Sequence, residues 1–82
     1  MNAFKKEVVE LLIQSCSMIL GTDPATLSAD TRLEEDLGCT SVHLVQLSTA
    51  LENEYEVEVP FMAMKRCKTF ADVADFMDQA LS

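Results

Sequence analysis

Apolar positions divide this chain into periodic segments separated by polar links. Val8, Leu12, Cys16 and Leu20 recur every four residues, with Leu11 and Ile19 beside them. That spacing puts one apolar face on an α-helix and predicts a first helix from about Ala3 to Leu20, stopped by Gly21. The period then lapses. Asp23-Pro24 reads as a cap followed by proline at a first helical position, and Thr31-x-x-Glu34 has capping-box spacing. Short helical turns are therefore expected inside a link that is otherwise loop. A connection of about 20 residues is long for a small domain and is usually functional when ordered. Leu27 and Leu33 are available to pin it to the core.

Helical spacing returns at Ser41. Leu44, Leu47, Leu51 and Tyr55 follow at intervals of three and four, predicting a second helix from Ser41 to about Tyr55 with a continuous buried stripe. Val57-Glu58-Val59-Pro60 alternates like a strand but is too short to build a sheet. Pro60 instead starts a short third helix running to Lys65 or Cys67. The last helix opens with the capping box Thr69-Phe70-Ala71-Asp72 and buries Phe70, Val73, Phe76 or Met77, and Ala80. The pattern predicts an all-α, four-helix bundle with a long loop between its first and second helices and a short third helix. Residues 1–82 are expected to form one domain, and no internal repeat is visible.

Composition supports this class. Hydrophobic residues make up 49% of the 82 positions and aromatics only 6%, with no Trp, so the core must be aliphatic side chains, Met and a few Phe. Two Gly and two Pro are too few for the turns of a small sandwich or barrel. The net charge of −8 repels nucleic acid and anionic lipid and suits partners with basic patches, although it also keeps a small apolar protein soluble. The first residues lack a signal-peptide core, and no segment approaches membrane-spanning length, so a cytoplasmic location is expected. A monomer is expected as well. Cys16, Cys39 and Cys67 are odd in number and lack the spacing of a disulfide framework or zinc site. They are expected to be reduced, with Cys16 and Cys67 packed as small hydrophobes and Cys39 in the loop. The acidic residues from Asp23 to Asp36 do not match a calcium loop, and no nucleophile, base and orienter set supports an enzyme.

One hydroxyl is placed for chemistry. Ser41 opens the second helix, where unpaired N–H groups and the positive end of the helix dipole favour a phosphate linked to its oxygen; a simple capping serine is the alternative. No adjacent base activates it, and helical geometry turns His43 away as a surface residue. Val42, Val45 and Thr49 form a second face of the helix, available either to a partner or to deeper burial. Glu52, Glu54, Glu56 and Glu58 crowd the C-terminal end, where the dipole disfavours them. They form either a solvated edge or a docking edge for basic partners.

Three segments carry a family resemblance: Leu33-Glu34-Glu35-Asp36-Leu37-Gly38 before the serine, Ser41-Val42-His43-Leu44-Val45-Gln46-Leu47 after it, and Leu51 to Pro60 closing the helix. With Phe70-Ala71-Asp72-Val73-Ala74 at the last helix, the chain resembles the acyl carrier proteins over nearly its whole length. The resemblance implies that Ser41 receives 4′-phosphopantetheine from coenzyme A through a phosphopantetheinyl transferase. It further implies a carrier of acyl thioesters, with no catalytic residue or metal of its own, serving enzymes such as a ketosynthase or acyltransferase. Two departures stand out. Thr40 replaces the aspartate that usually precedes the serine, and Phe61 and Met62, followed by Lys65, Arg66 and Lys68, replace acidic residues at the third helix. The expected docking surface is Val42, Val45, Thr49, Glu52, Phe61 and Met62, directed at a specialised fatty acid, polyketide or related pathway. An aminoacyl carrier, or an unmodified interaction module using the same apolar face, is the alternative.

Overall fold

The computed structural model describes all 82 residues and contains four α-helices and no strand. Helix α1 spans Ala3–Leu20; the Asn2 side chain accepts the Lys5 amide hydrogen at 2.8 Å, and Gly21 ends the helix at φ 69°. Only a residue without Cβ takes that left-handed turn at little cost, so the expected stop holds. Helix α2 spans Ser41–Tyr55, α3 Phe61–Arg66 and α4 Phe70–Leu81. Pro60 lies just before α3 as its cap residue, and Cys67 just after it. No helix is long and apolar enough to cross a membrane.

The helices meet in one core. Val8, Leu12 and Cys16 from α1, Leu44, Leu47 and Leu51 from α2, Met64 from α3, and Phe70, Val73, Ala74 and Met77 from α4 are all buried in it. Each fully buried aliphatic or aromatic side chain contributes about 1.5–3 kcal/mol of transfer free energy, so this cluster is the principal source of stability. Leu20 is only partly buried, and the expected burial of Ala80 is corrected: the last turn of α4 runs past the core and leaves Gln79, Ala80 and Leu81 exposed. Tyr55 is likewise half-buried. Its ring meets Phe4 edge-on at 5.3 Å, and its hydroxyl donates to the Glu7 carboxylate at 3.2 Å, tying the end of α2 to the start of α1. Lys5 pairs with Asp75 at 3.0 Å and ties α1 to α4.

The long loop is ordered by pairing with the start of α4. The Leu33 amide donates to the Lys68 carbonyl at 2.9 Å, Phe70 to Thr31 at 3.1 Å, and Ala71 to Ala29 at 2.9 Å. Asp23 caps a single 3-10 turn at Pro24–Thr26, as its spacing predicts. The capping box expected at Thr31-x-x-Glu34 does not form. Thr31 is buried and its hydroxyl oxygen faces backward, accepting the Ser28 amide hydrogen at 2.8 Å, because the backbone there is occupied in pairing with α4. Leu27 and Leu33 do pin the loop to the core.

Candidate functional site

The loop delivers its last residues to α2 through a tight turn. The Gly38 amide donates to the Glu34 carbonyl at 2.9 Å and the Cys39 amide to Leu33 at 3.0 Å, with Gly38 at φ 64°. Arg32 braces this turn: Asp36 accepts its backbone amide at 2.8 Å and its guanidinium at 2.9 Å, and that pairing holds the Asp36 carboxyl below the usual range. Cys39 then turns inward. It is buried, contrary to the expectation that it differs from the other cysteines, and shares a narrow apolar gap with Cys16, Ile19, Leu20, His43 and Leu47. Burial raises the Cys39 thiol and pushes Cys16 up to about 12. Cys67, half-buried beyond α3, is pushed up to about 11, again chiefly by burial. These thiols are poor nucleophiles.

Thr40, not Ser41, is the cap of α2. Its hydroxyl accepts the His43 amide hydrogen at 3.4 Å, while the His43 ring Nδ1 accepts the Thr40 amide hydrogen at 3.0 Å. The imidazole proton must therefore sit on Nε2 in this arrangement. His43 has a capping role that its spacing alone does not reveal, because the usual partner at that position is Glu or Gln. Its ring is directed at Thr40, so it is not placed to deprotonate Ser41.

Ser41 is thereby released from capping. It is exposed at the first position of α2, and its hydroxyl makes no hydrogen bond within the chain. Its own amide hydrogen and that of Val42 also lack partners in the chain. Two free N–H groups at the positive end of a 15-residue helix can receive phosphate oxygens, so the residues present fit a phosphodiester on this hydroxyl.

Around Ser41 the surface is partly apolar. Val42 is 65% exposed and Val45 48%, one helical turn apart, with exposed Thr49 one turn further. Met62 is 59% exposed on α3, while Phe61 is half-buried against the core. Glu52 has a structural task, since its carboxylate accepts the Val59 amide hydrogen at 2.8 Å and fixes the chain leaving α2. The Thr49 hydroxyl donates to the Val45 carbonyl at 3.0 Å.

The family described as "Phosphopantetheine attachment site" matches residues 10–77. The chain belongs to the acyl carrier protein family. An acyl carrier protein of Bdellovibrio bacteriovorus is 30% identical over 77 residues, covering 94% of each chain. Among solved structures, the 3,7-dioxo-octyl actinorhodin acyl carrier protein of Streptomyces coelicolor superposes with a TM-score of 0.69 at 28% identity, covering 94% of this chain and 88% of that one. A 3-oxo-butyl form from the same actinorhodin polyketide synthase gives a TM-score of 0.70 at 28% identity, with 99% and 95% covered. Acyl carrier proteins are carriers and not enzymes, and the cofactor of the phosphopantetheine attachment domain is covalently bound 4′-phosphopantetheine.

Proposed function

We propose that Ser41 is the attachment residue and that the chain shuttles acyl intermediates between the enzymes of a specialised, polyketide-type pathway. The observation that carries this reading is the release of Ser41 from capping, which leaves a solvent-facing hydroxyl beside two free amides. When bound, 4′-phosphopantetheine supplies a flexible arm ending in a thiol that holds acyl groups as thioesters. The chain supplies no base for loading, so a separate phosphopantetheinyl transferase must activate the hydroxyl and take the pantetheine phosphate from coenzyme A. Val42, Val45 and Met62 then form the apolar contact with the transferase and with acyl-processing enzymes such as a ketosynthase or acyltransferase. Likeness to the two actinorhodin carriers supports a polyketide-type pathway. All 82 residues act as one monomeric carrier domain in the cytoplasm.

Intact mass before and after incubation with coenzyme A and a broad-specificity transferase tests the assignment. A phosphopantetheine adduct on the wild type and none on Ser41→Ala is the expected result. An unmodified, folded wild type across a transferase panel overturns it and leaves the interaction module. Equal turnover by housekeeping and pathway ketosynthases overturns the specialised role.

A further inference from the structure

The loop and the end of α3 form a cleft of about 430 Å³ lined only by charged residues: Arg32, Glu34, Glu35, Lys65, Arg66 and Lys68. Four cations and two carboxylates line it, while the remainder of the chain holds two cations and twelve carboxylates. The strongly acidic protein therefore gathers most of its positive charge in one place. Lys65 reaches Glu34 at 3.0 Å, and Arg32 is held by Glu35 and Asp36, but Arg66 and Lys68 have no ion pair. The helix dipole favours cations at the end of α3, yet it does not account for Arg32 or Lys68, which lie outside that helix. Met62, 59% exposed, lies one helical turn before Lys65 and Arg66 on the same side of α3.

We infer that this cleft, with Met62 at its margin, docks an acidic surface of a partner protein that carries an apolar side chain. The inference deepens the carrier reading by assigning a second recognition surface, opposite in sign to the protein as a whole, and it does not require Ser41 to be modified. An exposed ion pair contributes about 0–1 kcal/mol, so a partner's carboxylates can replace Glu34 and Glu35 at little cost. Complementary charge then selects the partner and orients the encounter. A protein surface is favoured over free phosphate because Glu34 and Glu35 stand among the cations and repel a compact, multiply charged anion. Carboxylates spaced along a protein surface can instead meet Arg66 and Lys68 singly, with Met62 shared between this contact and the apolar one. At about 0.15 M ionic strength the Debye length is about 8 Å, so the cleft acts on a ligand seated in it while carboxylates on distant faces are screened.

The test is an amide chemical-shift titration of the full apo chain at physiological ionic strength, using a synthetic peptide rich in Glu and Leu. Inorganic phosphate and phosphatidylglycerol vesicles are run as separate arms. Expected are shifts confined to residues 32–35 and 62–68, weakened about three-fold or more by Arg66→Glu and left unchanged by the charge-matched Lys6→Glu. Absence of shifts, equal weakening by both variants, or the same response to phosphate or vesicles overturns the inference. Transferase loading is measured on the same samples. Loading without peptide binding refutes only the docking surface, and peptide binding without loading refutes only the carrier assignment.

Discussion

Replacing Thr40 with Val isolates the hydroxyl that frees Ser41 from capping duty. The side chain keeps its shape but loses the oxygen that accepts the His43 amide hydrogen at 3.4 Å. Loss of an N-cap side chain typically costs about 1 kcal/mol, and this bond is long, so the lower part of the range applies, about 0.5–1 kcal/mol. In a domain of this size 1 kcal/mol moves Tm by about 4–8 °C, which gives an expected loss of about 2–8 °C. Thr40→Asp keeps an oxygen acceptor and adds negative charge at the positive end of α2, worth about 0.3–1 kcal/mol. It should melt at or above the wild type. Thermal unfolding followed by far-ultraviolet circular dichroism reads both variants. The reasoning fails if Thr40→Val melts with the wild type, or if Thr40→Asp melts below Thr40→Val.

Four other outcomes are expected. Gly38 sits at φ 64°, so Gly38→Ala should lower stability by about 1 kcal/mol in a denaturant titration; unchanged stability would show that the turn relaxes. Glu56 ends α2 at φ 52°, the one non-glycine residue with positive φ, and Glu56→Gly should raise Tm by a few degrees, about 1 kcal/mol or less once the entropy of glycine is offset. A lower Tm would contradict the assigned strain. Tyr55 is the only tyrosine and there is no Trp, so phenolate absorbance reports it alone; burial first, then Glu7, pushes its pKa up to about 12, and the native midpoint should lie well above 10. Because the folded state holds this proton more tightly, its contribution is full below pH 10 and is lost as pH rises towards 12; a native midpoint at 10 refutes the contact. Finally, iodoacetamide near pH 8 should label Cys16, Cys39 and Cys67 far more slowly in the native apo chain than after denaturation, with rates read by peptide mass spectrometry.

Local signals carried most of the fold. Apolar positions at intervals of three and four residues mark α1 and α2, Gly21 marks the end of α1, and Thr69 with Asp72 marks the start of α4, where Asp72 accepts the Lys68 amide at 2.9 Å and the Thr69 amide at 3.1 Å. These features depend on neighbours within a turn or two. Thr31 shows the limit, since its spacing to Glu34 imitates a helix start while its backbone pairs with a segment nearly forty residues away. Cys39 was obscured for the same reason: its burial is set by α1, which packs over the end of the loop. At the site, the sequence offers Ser41 as a candidate cap, and the structure gives that place to Thr40, one residue earlier. The deciding residue was His43, whose ring can accept a hydrogen bond as Glu would but whose name does not announce a cap.

Burial also sorts the exposed residues that could have been credited to docking. Glu52 has a structural explanation in the Val59 amide, and Phe61 in its packing against the core, so their identities say little about a partner. Val42, Val45 and Met62 have none: each is about half exposed or more, and a polar residue at any of them would leave the core intact. Isolated apolar side chains on a surface need no explanation, but Val42 and Val45 are a turn apart on the helix that Ser41 opens. The same reasoning applies to charge. Lys5 serves the α1–α4 contact through Asp75, and Arg32 serves the turn before Ser41, whereas the side chains of Arg66 and Lys68 make no ion pair or hydrogen bond within the fold. Residues whose type the fold does not require are the ones on which recognition can act without cost to stability, and here they are two valines and a methionine for apolar contact and two cations for charge.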